Sequence, residues 1–382
     1  MFDSRLLALQ AVYALNAIGL ATWFPRIPDV KAALDLDILT LAFSLFGLPA
    51  GTMTGFLAVT PVIARLGLRR SVLVAGAGFL LAMIGPGLAT GPVTLFLPLF
   101  TAGFVVTLIE VSMNAKAGQF ERVLGRRLMT RCHAFWSLGA VAGGALGGAM
   151  AQWGFTLLAQ QLLLQPLFAL GTVWAASRLI PDDDAESETG RGHAWPTAAL
   201  LALALLPAGA LLIEGTMMEW SALFLRQERA AEPFAAGLAL SVFALSEAGA
   251  RLIGDRAAEI AGPRPVLLAS GLVMGSGILG FALAPSVGMA LAFAAVTGAG
   301  TGNIYPLSLS LAARMPGRRP EQNVATLTLI GFSAFLIAPP LIGGLADALG
   351  LGAAILLLAP LGLLPLVVLA RRPKAAAKDQ PQ

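Results

Sequence analysis

Long apolar runs decide what this chain can fold into. A helix needs about 20 apolar residues to cross the hydrocarbon core of a bilayer. Charged and Pro/Gly-rich breaks divide the sequence into twelve such runs, at about 5–26, 39–64, 71–89, 93–118, 132–152, 156–178, 196–218, 235–256, 265–284, 287–312, 323–345 and 353–371. Only 12% of the 382 residues are charged, against about 25% in a soluble chain, so the surface between the runs cannot be covered with charge. The runs are continuous rather than alternating in polarity, which excludes an outer-membrane β-barrel. The expectation is an all-α polytopic membrane protein lying in the lipid bilayer. The first run is too long for the core of a signal peptide and lacks an A-x-A cleavage pattern, so it reads as a retained helix.

Lysine and arginine then set orientation. With the N-terminus inside, the cytoplasmic side receives 20 of them: Arg5, Arg65, Arg69, Arg70, Arg122, Arg126, Arg127, Arg131, Arg178, Arg191, Arg251, Arg256, Arg264, Arg314, Arg318, Arg319, Arg371, Arg372, Lys374 and Lys378. The outer side receives four, Arg26, Lys31, Arg226 and Arg229. Lys116 remains inside the fourth run, near its cytoplasmic end, where snorkelling would carry its ammonium to the interface. Both termini are expected in the cytoplasm. The net charge of +4 is a topology signal, with no nucleic-acid partner implied.

One long polar stretch, PDDDAESETGRGHAWP, falls between the sixth and seventh runs and has the composition of a solvated connector. It suggests an N-terminal six-helix bundle at 1–180, a cytoplasmic linker at 181–196, a C-terminal six-helix bundle at 197–372 and a tail at 373–382. The two halves repeat each other. RLGLRR (65–70) matches EIAGPR (259–264), ERVLGRR (121–127) matches ARMPGRR (313–319), and GAVAGGALGG (139–148) matches FLIAPPLIGG (335–344). Parallel six-helix repeats mark a transporter architecture with its site near the midplane between the halves.

Twelve runs, a central linker and a Gly/Arg loop after runs two and eight resemble the major facilitator superfamily over the whole chain. The family's loop is written G-x-x-x-D-R-x-G-R-R. The first half keeps Gly67, Arg69 and Arg70 but has Thr60 and Ala64 for the Gly and the Asp; the second half reads DRAAEIAGPR, with Glu259 at the acidic position and Gly262 kept. The fucose permease branch is more similar still. Its L-E-x-x-x-N appears as Ile109-Glu110-Val111-Ser112-Met113-Asn114, and its Q-A-F-N-x-L-G as His133-Ala134-Phe135-Trp136-Ser137-Leu138-Gly139. In the first run Ala21 stands where that branch has an acid. The resemblance implies two pseudo-symmetric six-helix bundles, the major facilitator fold, in the inner (plasma) membrane of a bacterium, and a chain that works as a monomer.

The candidate site residues are the polar groups that an apolar helix must hold for a reason. Glu110 and Asn114 lie one turn apart on one helix face. A carboxyl in a low-dielectric cavity can take up and release a proton, so Glu110 is the candidate for proton coupling. Asn16 and Trp23 in run one, His133 and Trp136 in run five, Glu214 in run seven, and Asn303 and Tyr305 beside the helix-breaking Pro306 are candidate cavity residues. Gln160, Gln161 and Gln165 suit the cavity, Gln160 and Gln161 equally the outer interface, and Glu219 with Trp220 suit interfacial anchoring. In run eight Glu247, Arg251, Asp255 and Glu259 recur every four residues; with Arg256, Arg65, Gly67, Arg69 and Arg70 they form a candidate gating network. Gly139, Gly143 and Gly147 read as a close-packing stripe.

The function expected is secondary active transport of a small organic solute, sugar-like or otherwise polar, by alternating access and coupled to protons. Efflux of drugs or metabolites by the same architecture is the alternative, favoured by Trp136 in place of an asparagine. A membrane-embedded enzyme or sensor is the other class. The chain has no clustered nucleophile, no HExxH, no P-loop and a single cysteine, Cys132, so neither a cofactor nor a metal is expected.

Overall fold

The computed structural model describes residues 2–125, 128–182, 196–316 and 319–370. The linker from 183 to 195, the tail from 371, and Arg126, Arg127 and Arg318 lie outside the described residues. All regular structure within the described residues is helical. Twelve helical segments are long and apolar enough to cross a membrane: Ser4–Ala33, Ile38–Leu66, Leu68–Leu88, Pro92–Leu124, Arg131–Gln152, Leu157–Ala176, Ala198–Glu228, Pro233–Gly254, Pro263–Leu283, Val287–Ala313, Gln322–Leu349 and Leu351–Ala370. They are called spans one to twelve below.

Several spans outrun the apolar stretches that announce them. Span one continues past its expected end through a 3₁₀ turn, Phe24–Arg26, into a short helix, Ile27–Ala33. Pro25 and Pro28 sit in the first turns of those pieces, where no intrahelical N–H is needed. Span seven runs on to Glu228 because Glu219 and Trp220, expected at the interface, are buried in protein at 8% and 0% exposure. Side-chain caps start other spans. Asp37, Thr156, Thr197 and Ser286 accept the N–H groups of Thr40, Ala159, Leu200 and Met289. Those Asp37 bonds, from Thr40 above all, hold its carboxyl below the usual carboxylate range.

The repeat seen in the sequence is repeated in the backbone. Gly67, after span two, and Gly262, after span eight, share one conformation, φ 75° with ψ 164° and φ 88° with ψ 156°. Glycine alone enters that region without strain.

Small residues set the spacing of the central helices. A Cβ on Gly139, Gly143 or Gly147 would lie within 2.7 Å of the carbonyl oxygens of Ala14, Ile18 and Thr22, so span five rides directly on the span one backbone. The next two glycines on the same helix, Gly144 and Gly148, meet span eight at Gly237, Ser241 and Pro233. Ser241 Oγ donates to the Val141 carbonyl at 2.8 Å. Span eleven meets span two in the same manner, with Gly343 against Ala42 and Ile38. These contacts join spans one to six with spans seven to twelve, and they gather at one end of the molecule. That end carries the turns at 22–37, 152–157 and 229–233, and it is the arginine-poor end.

Ion pairs close the same end. Asp29 Oδ2 accepts from Arg26 Nε at 2.7 Å, and its other oxygen pairs with Arg226 of span seven. Gln152 Nε2 lies 3.4 Å from Glu232 Oε2, and Gln152 Oε1 accepts the Phe234 N–H. Arg26, which the sequence places among the outer loop charges, is 2% exposed; it also donates to Gln160 Oε1 at 2.5 Å and to the Phe155 carbonyl at 2.7 Å.

Candidate functional site

Two polar clusters stand inside the helices, one on each set of six spans. The first gathers around Glu110. Asn114, one turn further along span four, accepts a hydrogen bond from Tyr13 Oη of span one at 2.6 Å. The Tyr13 ring meets His133 of span five edge to face, with centroids 5.6 Å apart. Glu110 is half-buried and near enough to Tyr13 to act on its hydroxyl electrostatically. Among the described residues no side chain or backbone group hydrogen-bonds to the Glu110 carboxyl. The pairing with Asn114 that a four-residue spacing allows is taken by Tyr13 instead. His133 is exposed, and Trp136, three residues on, is half-buried.

The second cluster joins residues that the sequence leaves apart. Glu214 of span seven and Glu247 of span eight are near enough to act on each other electrostatically. Arg251 Nη2 stands 2.8 Å from Glu247 Oε1, in a geometry that makes an ion pair rather than a directed hydrogen bond. Arg251 Nε also points at the Gly302 carbonyl at 3.4 Å. That carbonyl is free for a local reason. Pro306 has no N–H to give the residue four positions back, and span ten breaks there, into Val287–Thr301 and Ile304–Ala313. Tyr305 turns its hydroxyl to Thr328 Oγ1 of span eleven at 3.2 Å and its ring edge to Phe332. Asn303 lies against Gly254 of span eight, where a Cβ would come within 1.8 Å of its Oδ1.

Other expectations change. Asn16 is fully buried; its amide donates to the Val12 carbonyl at 2.9 Å and to Thr172 of span six at 3.4 Å, which makes it a packing residue among spans one and six. Trp23, at 1% exposure, is core at the closed end. The span-six glutamines face neither cavity nor interface: Gln160 and Gln165 donate to the Thr22 and Gly19 carbonyls of span one at 3.0 Å. In the gating network Glu247 and Arg251 do pair, but Glu259 pairs with Arg256 at 2.9 Å on the surface, and the Asp255 side chain lies outside what is described. Arg65 and Arg70 are exposed. A groove of about 450 Å³ between spans five and eight, lined by Gln152, Trp153 and Phe234, lies at the closed end, away from both clusters.

Lys116 does not snorkel. It is fully buried, and its Nζ meets Asp182 Oδ1 at 2.6 Å and the Pro181 carbonyl at 3.4 Å. Asp182 also accepts the Arg69 N–H at 3.0 Å and lies against Gly67. The loop acid that Ala64 lacks is thus supplied from the first residues after span six, with the positive end of span three drawing it in.

The twelve spans thus hold two polar clusters, one on each set of six. The sequence profile of the Major Facilitator Superfamily matches residues 205–382. The chain is 28% identical to an uncharacterized MFS-type transporter of Yersinia pestis, over 92% of its own length and 91% of the relative's. It is 26% identical to the membrane protein MosC of Rhizobium meliloti, over 94% and 87%. Among solved structures it superposes on the nucleoside transporter NupG with a TM-score of 0.74 at 14% identity, covering 96% of this chain and 98% of that one. It also superposes on a bacterial homolog of the human lysosomal transporter Spinster, captured inward-facing and unoccupied, with a TM-score of 0.71 at 16% identity, over 97% and 95%. The chain is thus similar to an MFS-type transporter along nearly its whole length.

Proposed function

We propose that the chain is a proton-coupled secondary transporter that moves a small polar organic solute across a bacterial inner membrane by alternating access. The observation that carries this reading is Glu110, a carboxyl held in a membrane span with no hydrogen-bond partner among the described residues, beside the Tyr13–Asn114 pair. An ionisable group in that setting needs either a partner or a task. The solute sits between the two clusters, where Asn114, Tyr13, His133, Asn303 and Tyr305 offer donors and acceptors for hydroxyl or amide groups, and Trp136 offers a flat apolar face. Residues 1–180 and 197–372 move as two bundles about this cavity, joined by the segment 181–196. Both termini, with the tail from 373, lie in the cytoplasm. The protein acts as a monomer.

The test is uptake into proteoliposomes under an imposed pH gradient, with the solute found by a thermal-shift screen of sugars, acids and drug-like compounds. Glu110→Gln is expected to abolish accumulation against a gradient while leaving solute exchange. Normal accumulation by that variant would sink the assignment.

A further inference from the structure

We propose that the arginine-rich end of the first six spans carries a binding site for one anionic phospholipid, whose phosphodiester is held by Arg5, Arg69 and Arg178. The site is independent of the solute and of Glu110.

A cavity of about 320 Å³ opens where the ends of spans one, three and six meet. Its walls include Ser4 and Arg5 at the start of span one, Arg69 in the first turn of span three, and Ser177 and Arg178 just past span six. In the sequence these three arginines are orientation charges far apart from one another; the fold brings them round one opening. Among the described residues no carboxylate forms an ion pair with any of the three. The Asp182 carboxyl is engaged instead by Lys116 Nζ and by the Arg69 backbone N–H.

Two of the guanidinium groups are held in place. Arg69 Nη2 donates to the Ser177 carbonyl, which ties span three to the end of span six. Arg178 Nη1 donates to the Trp174 carbonyl at 3.0 Å, and its guanidinium lies over the Trp174 ring, 3.8 Å from the centroid. An arginine carries five N–H donors in a planar fork, so each keeps donors for a ligand. Three positive charges round one opening call for an anion with several acceptor oxygens, and a phosphate group matches the guanidinium fork. Ser177 Oγ already donates to the Trp174 carbonyl at 2.7 Å, so it offers a ligand an acceptor. That suits a headgroup with hydroxyls, such as glycerol.

The helix face below the cavity makes the phosphate part of a lipid. On span six Leu163, Leu167, Leu170 and Trp174 follow at steps of four, three and four, which puts them on one face. All four are between 56% and 69% exposed, and Arg178 stands one turn beyond the last of them. An apolar stripe left bare on a membrane helix faces acyl chains, and tryptophan favours the headgroup level. A phosphodiester at the arginines therefore has its chains along the stripe. Basic pockets between spans bind anionic headgroups in this way. Free phosphate would meet the arginines and gain nothing from the stripe. A bound lipid touches the ends of three spans at once, so it stabilises the folded chain by mass action.

The experiment is native mass spectrometry of the purified, delipidated full chain, titrated in detergent with dioleoyl phosphatidylglycerol or dioleoyl phosphatidylcholine. Arg5→Gln with Arg178→Gln removes two of the three charges at the cavity. Arg264→Gln with Arg314→Gln removes the same charge from exposed arginines of the last six spans. The first phosphatidylglycerol is expected to bind about tenfold more weakly to the Arg5/Arg178 variant and unchanged to the Arg264/Arg314 variant. Equal weakening in both variants means a general attraction to basic ends, and phosphatidylcholine binding as tightly means no recognition of the anion; both overturn the proposal. Melting temperature is the second readout. Phosphatidylglycerol should raise it for the unsubstituted chain and not for the Arg5/Arg178 variant, and inorganic phosphate should raise it for neither. A rise with inorganic phosphate equal to that with the lipid assigns the cavity to a free anion and overturns the lipid. Arg178→Gln alone, at an exposed side chain, keeps the comparison where the double variant fails to fold.

Discussion

Tyr13 is the residue whose importance the sequence hid. It is one of two tyrosines in the chain, and the other, Tyr305, stands beside a proline and so announces itself. Tyr13 sits in an unbroken apolar helix, and only the approach of span four shows that its hydroxyl meets Asn114. Tyr13→Phe keeps the ring edge on His133 and removes one hydrogen bond. The expected cost is about 1 kcal/mol, read as a lower melting temperature of the purified protein; an unchanged melting temperature would show that the bond contributes nothing. Asp182 hid for a similar reason, since it opens an acidic run with the composition of a solvated connector. Asp182→Asn leaves the buried Lys116 ammonium with a weaker neutral partner. A loss of about 1–3 kcal/mol is expected, and Asp182→Glu should recover part of it. Charge spacing along a helix was legible for Glu247 and Arg251, because four residues make one turn. The addition of Glu214 was not, because nothing in a sequence states which face of span seven meets span eight.

At the scale of elements, the number of spans and the break at Pro306 were legible, because both follow from backbone physics. Apolar length measures the bilayer, and proline removes an N–H. The ends of the spans were less so. Arg26, Lys116, Glu219 and Trp220 read as groups near water when taken singly, yet each is buried against another helix. The glycines carry the contacts between elements, and their roles differ at adjacent positions. A Cβ on Gly343 would come within 2.2 Å of the Ala42 Cβ, while one on Gly344 would meet nothing within 4 Å. Gly343→Ala therefore pushes span eleven off span two at the closed end, an overpacking worth about 1–3 kcal/mol. That favours the state open at this end, so a cysteine placed at Leu39 should label faster with an impermeant thiol reagent. Gly344→Ala should leave the rate unchanged. Equal rates in the two variants would mean that the glycine contact does not hold the end shut.

At the scale of the whole molecule, the described contacts between the two sets of spans lie at the arginine-poor end: the Gly144–Gly237 crossing, the Asp29–Arg226 pair and the Gln152–Glu232 contact. The ion pairs there contribute modestly, since Asp29 and Arg226 keep access to water. A closure made of small packing contacts and part-exposed charges is suited to opening and closing, because each piece costs little to separate. The proposed alternating access would require this end to part in every cycle. Gln152 and Glu232 give a way to hold it, as their side chains already meet at 3.4 Å. The native cysteine, Cys132, is buried on the other side of span five, so it does not compete for reagent. With Gln152→Cys and Glu232→Cys joined by a short, reducible bifunctional reagent, uptake should stop, and reduction should restore it. The two single variants treated in the same way should transport as before. If the joined protein still moves solute, this end does not need to open, and alternating access about the two clusters is wrong for this chain.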